Sequence, residues 1–146
     1  MKNLTLFLSA LFVSIFLSTN INAQNKNENE HKLVIQMTNG DTLSQYSLMK
    51  NLANLTAGWP ELKIEVVCHG PGLKLLHLKK SRYIEQVKKY IDKGVIFVAC
   101  KNTMKAKNVP DSMILPEAGR VEMGIKEIVL KQEEGWSYIK GGIVRK

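Results

Sequence analysis

The chain has 146 residues, of which 45% are hydrophobic and 23% are charged, and its formal net charge is +8. This length accommodates one domain with a hydrophobic core and is too short for two ordinary domains. The positive charge favours anionic partners. However, Glu85 and Asp92 interrupt the basic residues of the segment 74–93, and no nucleic-acid-binding motif accompanies them. This pattern is typical of a solvated helix face and argues against a protein that binds nucleic acid.

The N-terminus has the pattern of a secretory signal peptide. Lys2 precedes an apolar run from Leu4 to Leu17, and the small residue Ala23 follows a short polar stretch. The run of 14 residues is shorter than the roughly 20 that span a bilayer, which argues against the alternative, a membrane anchor. We expect cleavage after Ala23, which removes residues 1–23 and the charge of Lys2. The product would be a soluble periplasmic or secreted protein of net charge +7.

The mature chain is predicted to begin with a tether and then to form buried strands. Residues 24–31 (QNKNENEH) are polar and predict a flexible tether, after which a single domain spans residues 32–146. Three continuous apolar runs, KLVIQM from Lys32, IEVVC from Ile64 and VIFVAC from Val95, predict strands of a parallel sheet covered on both faces. A fourth strand is expected within residues 114–123, and WSYI (136–139) predicts the last.

Helical patterns lie between these strands. Leucines at 48, 52 and 55 predict a helix over about residues 42–57, and apolar residues at 84, 87 and 91 predict one over about 79–93. A shorter helix is expected from about Asn102 to before Pro110, and another around residues 125–132. The alternation predicts a three-layer α/β/α domain with a mostly parallel sheet, and we expect the flavodoxin-like order with the first strand between the second and third.

The carboxyl ends of the first three strands carry the candidate site residues. These ends meet at one rim of a parallel sheet, where α/β proteins bind ligands. They read TNGDT (38–42), CHGPG (68–72) and CKNT (100–103). The residues predicted to shape a substrate pocket at this rim are Asn39, Asp41, His69, Lys101, Asn102 and Thr103.

Cys100 is the candidate nucleophile of this rim. It directly precedes a predicted helix start, where free backbone N–H groups and the helix dipole favour thiolate over thiol. Lys101 adds positive charge, and Asn102 or Thr103 is expected to cap the helix. Local chemistry leaves open the alternative that Cys100 is packed as a small hydrophobe. For Cys68, which precedes a tight turn, the structural role is favoured.

Two cysteines in an exported chain suggest a disulfide. In the flavodoxin-like order, however, Cys68 and Cys100 would lie two strand spacings apart, about 9 to 10 Å. A disulfide needs Cα atoms within roughly 7 Å. A metal site formed with His69 and His77 is also disfavoured, because no pair of these residues has a zinc-binding spacing. We therefore expect no disulfide, no metal and no cofactor.

Three blocks resemble the DsrE/DsrF-like family, in its small exported single-domain branch. They are IEVVCHGPGLKLL, KGVIFVACKNTMKAKNV and VEMGIKEIVLKQEEGWSYIKG, and the resemblance covers nearly all of residues 32–141. It implies a YchN-like fold with a five-stranded parallel sheet and homo-oligomers, often trimers or hexamers. In the sulfur-relay members, a cysteine after the third strand holds sulfane sulfur as a persulfide and passes it to a partner's cysteine. Cys100 occupies the corresponding position.

The residues and the resemblance together predict a function. The expected protein is a periplasmic or secreted sulfur carrier or sulfurtransferase with Cys100 as its nucleophile. Its expected partners are further copies of the chain and a protein that donates or accepts sulfur, but neither a membrane nor a nucleic acid. The alternative is a non-catalytic homo-oligomeric module that binds a small ligand or a partner at the same rim, with Cys100 only packed.

Overall fold

The computed structural model describes residues 30–142. The predicted signal peptide and residues 24–29 of the predicted tether lie outside this range. The strands of the described part are β1 (Lys32–Met37), β2 (Lys63–Cys68), β3 (Ile96–Cys100), β4 (Gly119–Val121) and β5 (Ser137–Lys140). The α-helices are α1 (Thr42–Gly58), α2 (Ile84–Ile91), α3 (Lys101–Ala106) and α4 (Gly124–Glu133), and 3₁₀ helices cover Gly70–Leu76 and Asp111–Met113.

The strands form one parallel five-stranded sheet, which confirms the predicted fold class. The order is β4-β3-β2-β1-β5, so the predicted flavodoxin-like order is wrong. Strand β1 lies between β2 and β5, whereas the prediction placed it between β2 and β3. In register, Met37 pairs with Cys68, and Cys68 pairs with Ala99. The apolar runs show that the strands are buried, but every buried strand has this pattern whichever neighbours it has. The sequence therefore did not reveal which strands are adjacent.

The strand order determines which helices cover each face of the sheet. From β1 to β4 the chain always steps in one direction, so right-handed crossovers place α1, α2 and α3 on one face. The connection from β4 to β5 steps back across the sheet and places α4 on the other face. The two cores agree with this arrangement. The larger contains Leu48, Val87 and Met104 from the first three helices, and the smaller contains Ile128 and Trp136 against the sheet.

The second helix is shorter than predicted. It begins at Ile84 rather than near Lys79, because the preceding residues make other backbone hydrogen bonds. His77 forms an isolated antiparallel bridge with Ile114, and the Leu78 N–H donates to the Met113 carbonyl at 2.9 Å. These bonds keep the residues before Ile84 in a turn, so they are not part of the helix.

The predicted tight turn after β2 is a 3₁₀ helix that packs closely against the end of β1. A Cβ atom on Gly72 would lie 2.1 Å from the Met37 carbonyl oxygen, so no larger residue fits there without moving the backbone. This contact brings the segment after β2 against the sheet rim.

Within residues 30–142, no helix has both the length and the apolar character needed to cross a membrane.

Candidate functional site

Cys100 lies where β3 becomes α3. It is the last residue of the strand and also the N-cap residue of the helix, which begins at Lys101. The prediction that Asn102 or Thr103 caps this helix is wrong, because both residues lie inside the helix and Cys100 occupies the N-cap position. The strand therefore delivers the thiol directly to the first turn of a helix.

The Cys100 sulfur lies beside the starts of α3 and α4, two helices that are distant in sequence. The Gly124 backbone N–H donates to Sγ at 3.2 Å, and Gly124 is the first residue of α4. From α3, the Thr103 hydroxyl acts on the thiol as a hydrogen-bonding group that lowers its pKa. The N–H groups of a first helical turn lack partners within their own helix. Sγ thus lies where the N-terminal ends of two helices meet.

These donors set the acidity of the thiol. Burial alone would raise the pKa of Cys100, which is 4% exposed. Hydrogen bonds from the Thr103 hydroxyl, from the Gly124 N–H and from N–H groups of the first turn of α3 outweigh burial and hold this pKa below its usual value. Because the thiolate is the nucleophilic form of cysteine, the site favours a reactive sulfur.

Cys68 has the opposite character. Its side chain is fully buried in the larger core, and this burial raises its pKa well above the usual range. Both cysteines are free thiols. Their strands are adjacent, so the predicted separation by two strand spacings is wrong. Cys68 instead pairs with Ala99, and side chains alternate along a strand, so Cys68 and Cys100 point to opposite faces of the sheet.

His69 lies beside the Cys100 site and is part of a polar row across the sheet. A Cβ atom on Gly124 would lie 3.0 Å from the His69 Cβ, so the ring packs directly against the residue that donates to Sγ. His69 Nε2 accepts from the Gln36 side-chain amide at 2.9 Å, which leaves the ring proton on Nδ1. Tyr138 in turn donates to Gln36. Burial lowers the pKa of His69, so it is a neutral neighbour of the thiol.

The other predicted site residues have separate roles. Lys101 Nζ pairs with Glu122 at 2.6 Å, and Asn102 is exposed. Asn39 donates its amide to Ser44 and to the Gly142 carbonyl, while Asp41 caps α1 by accepting from the Ser44 N–H at 2.8 Å. The contacts thus bring Cys100 and His69 against Gly124, and Thr103 contacts Gly70, whereas Asn39 and Asp41 are engaged at the start of α1.

Sequence reasoning missed three residues of this arrangement: Gly124, Gln36 and Tyr138. A glycine at the start of a helix was the one available signal for Gly124, and nothing in the sequence linked it to a cysteine 24 residues earlier.

Among residues 30–142, no group of three His, Cys, Asp or Glu side chains is arranged to hold a metal ion. Of the ligands considered for a metal, Cys68 lies in the core and His77 lies in the turn before α2.

Comparison with known proteins gives the family. A profile of the DsrE/DsrF-like family matches residues 16–140. A solved structure of a protein of unknown function, MTH1491 from Methanobacterium thermoautotrophicum, is 32% identical with a TM-score of 0.72, and the match covers 75% of this chain and 98% of that one. A conserved protein of unknown function, BT1422 from Bacteroides thetaiotaomicron, has a similar fold at 20% identity and a TM-score of 0.56, with 82% and 99% covered.

No curated protein matches the chain. The profile match nevertheless extends over most of the 146 residues, and the alignment with the archaeal structure spans nearly all of that protein. The shared parallel five-stranded sheet agrees with both matches. The chain therefore belongs to the DsrE/DsrF-like family.

Proposed function

We propose that the protein is a periplasmic or secreted sulfur carrier of the sulfurtransferase type, in which Cys100 holds sulfane sulfur as a persulfide. One observation carries the proposal: the Cys100 sulfur accepts a hydrogen bond from the Gly124 N–H at the place where α3 and α4 begin. Donors in this position stabilise a negative charge on sulfur. Membership of the DsrE/DsrF-like family is compatible with a sulfur-relay role.

The reaction is an exchange between sulfur atoms that needs no external oxidant. The Cys100 thiolate attacks the outer sulfur of a sulfane donor such as thiosulfate or a persulfide. The new bond to Cys100 forms as the donor's S–S bond breaks, and the electron pair leaves with sulfite or a thiolate. An acceptor thiolate then attacks the terminal sulfur, and Cys100 leaves as the thiolate. The donors on Sγ stabilise the anion before and after each step.

Access to the sulfur is controlled by the segment that begins α4. Cys100 is nearly covered, with Gly124 against its sulfur. The Lys101–Glu122 pair joins the residue after Cys100 to the loop before α4, and both side chains are exposed. Exposed pairs contribute about 1 kcal/mol or less, so this ion pair is a weak restraint. The Asn102 N–H also donates to the Glu122 carbonyl at 3.1 Å, and opening would break this bond as well. A cover that opens for donors and otherwise closes would protect a persulfide from oxidation in an oxidising compartment.

Mass spectrometry tests the carrier function. Purified protein is incubated with polysulfide or thiosulfate, and the sulfur gained by each cysteine is measured. Wild type and Cys68→Ser are expected to gain sulfur, because Cys68 is buried on the other face of the sheet with a raised pKa. Cys100→Ser is expected to gain none. Equal gain by Cys100→Ser and wild type would contradict the proposal.

The cellular location and the assembly are parts of the same proposal. The N-terminal sequence up to Ala23 supports export. A set of exposed apolar side chains on and around α4, here called the α4 apolar surface, supports a homo-oligomer, and the resemblance to the family implies a trimer or a hexamer. The members of this surface are Ile96, Met123, Ile125, Val129, Leu130 and Tyr138. Large apolar patches on a soluble protein commonly mark contacts with other chains.

The burial of Cys100 favours a second candidate function, a non-catalytic homo-oligomeric module that binds a small ligand or a partner chain. Here the thiol would be only a packed side chain. Alkylation at neutral pH separates the two candidates, because a carrier must be reachable by its donor. Modification of the native protein at Cys100 supports the carrier, whereas modification only after denaturation supports the binding module.

A further inference from the structure

A cavity of about 630 Å³ lies between the first 3₁₀ helix, the start of α1 and the chain that follows α3. Small-molecule sites typically occupy about 300 to 1,000 Å³. The cavity has no lining residue in common with the Cys100 site, since neither the thiol nor Thr103, His69 or Gly124 borders it. It is therefore a separate candidate site, which the proposed function does not use.

Three lysines line this cavity and form what is here called its basic side. Lys74 comes from the first 3₁₀ helix, Lys80 from the turn after it, and Lys107 from the end of α3. The three ammonium groups come from separate segments, so their convergence is not the consequence of one solvated helix face. The cavity has a single carboxylate, Asp41, and its Oδ1 already accepts from the Ser44 N–H. Among residues 30–142, no carboxylate oxygen lies within 4.0 Å of the ammonium groups of these lysines.

A nearly buried histidine also lines the cavity. His77 is 7% exposed, and its Nδ1 accepts from the Lys79 N–H at 3.2 Å. The neutral ring therefore carries its proton on Nε2. Burial lowers the pKa of His77, and the charges of Lys80 and Lys79 lower it further. The ring thus reports a local excess of positive charge that an anion would neutralise.

Three apolar residues of the lining form what is here called the apolar wall of the cavity. They are Pro71, Leu73 and Val109. A Cβ atom on Gly40 would lie 2.7 Å from the Pro71 carbonyl oxygen, so the loop after β1 is held against the 3₁₀ helix. The cavity therefore combines an anion-attracting side with an apolar wall. Lysine ammonium groups act as point charges and commonly bind phosphate in proteins, whereas paired recognition of planar carboxylates is typical of arginine.

We propose that this cavity binds a small organic phosphate monoester, with its phosphate on the basic side and its apolar part against the apolar wall. Binding depends on neither Cys100 nor persulfide chemistry. Cys100→Ser should bind the ester as wild type does, so this proposal and the proposed function can fail independently.

The experiment follows the His77 ring by NMR while the full mature chain is titrated with phenyl phosphate or with inorganic phosphate. Phenyl phosphate should shift the His77 signals and raise the pKa of that ring, while the His69 signals remain unchanged. It should also bind more tightly than inorganic phosphate, which cannot use the apolar wall. The variant Lys74→Gln/Lys80→Gln/Lys107→Gln should bind phenyl phosphate about tenfold more weakly, because three favourable charges are lost.

The matched control is Lys89→Gln/Lys93→Gln/Lys126→Gln, which removes the same total charge at exposed positions away from the cavity. It should keep the affinity of wild type. Equal affinity of the two triple variants would overturn the proposal. Equal affinity of wild type for the two phosphates would also overturn it, since the apolar wall would then contribute nothing.

Discussion

Hydrogen-bond donors, rather than burial, distinguish the surroundings of the two cysteines. Both side chains are nearly inaccessible, yet burial raises the pKa of Cys68, while donated hydrogen bonds lower that of Cys100. The difference arises because β2 ends in the larger core, whereas β3 ends against the starts of α3 and α4. The donors at Cys100 replace the hydration that its thiolate loses on burial.

The Thr103 hydroxyl should contribute measurably to this acidity. Thr103→Val keeps the shape of the side chain but removes the donor, so the pKa of Cys100 should rise. A hydrogen bond to a charged group is worth about 1.5 to 3 kcal/mol, so the alkylation rate of Cys100 at neutral pH should fall about tenfold or more. The measurement is the rate as a function of pH.

Thr103→Ser is the control for that variant because it keeps the hydroxyl. Thr103 Oγ1 also accepts from the Gly70 N–H at 3.0 Å, so melting temperatures of both variants show whether the fold is maintained. If Thr103→Val and Thr103→Ser react at the same rate across the pH range, the hydroxyl does not set the acidity of the thiol.

The sequence predicted the site residues that lie at strand ends, but it did not predict the residues that other elements contribute to the site. Cys100 and His69 directly follow apolar runs, so their place at the rim could be predicted. The Gly124 N–H, the Gln36 amide and the Tyr138 hydroxyl reach the site only because β1 lies between β2 and β5 and α4 crosses the sheet. Pairings of this kind depend on strand order, which the apolar pattern does not contain.

The elements themselves were largely predictable, whereas their ends and neighbours were not. Apolar spacing indicated the helices, and the fourth strand lies within the expected segment, at Gly119–Val121. Helix α2 begins later than predicted because His77 pairs with Ile114, which is distant in sequence. The same turn places Lys80 and His77 at the cavity lined by lysines. Because the sequence did not reveal this turn, the run of lysines predicted only a solvated helix face.

Strand β2 carries an acidic side chain within its apolar run, and this group should make stability depend on pH. Glu65 is 4% exposed beneath α4, its Oε1 lacks a hydrogen-bond partner in the described structure, and Lys131 Nζ lies 3.7 Å from Oε2. Burial, opposed by Lys131 and supported by nearby Glu127, raises its pKa from 4.5 to about 7.

The sign of the pH effect follows from this raised pKa. Between about pH 4.5 and 7 the folded state binds the Glu65 proton more readily than the unfolded state does. The free energy of unfolding should therefore fall as pH rises through this window, by on the order of 1 to 3 kcal/mol, and level off above it. Urea unfolding at several pH values measures the slope. Glu65→Gln should flatten it, whereas the exposed control Glu133→Gln should not; equal slopes in all three proteins would contradict the assignment.

At the scale of the whole molecule, the sheet is covered unequally. Three helices cover one face, and α4 is the only helix of the described structure that packs on the other. Ile96 of β3 and Tyr138 of β5 lie on that second face and remain exposed at its edges. On α4 itself, Ile128 packs inward while Ile125 and Val129 face outward, 51% and 47% exposed. Parallel sheets are normally buried on both faces, so a second copy of the chain would complete the layer that one helix leaves open.

The assembly should therefore depend on the outer side of α4. Ile125→Lys/Val129→Lys places two charges on the α4 apolar surface without touching the inward Ile128, so the proposed homo-oligomer should dissociate into monomers that remain folded. Light scattering after size-exclusion chromatography gives the mass, and circular dichroism gives the fold. The matched control is Leu43→Lys/Tyr46→Lys, which changes two similarly exposed apolar residues of α1 on the opposite face. A monomeric wild type, or dissociation by both variants alike, would show that α4 does not hold copies together, since a stable interface needs about 800 Å² from each partner in one place.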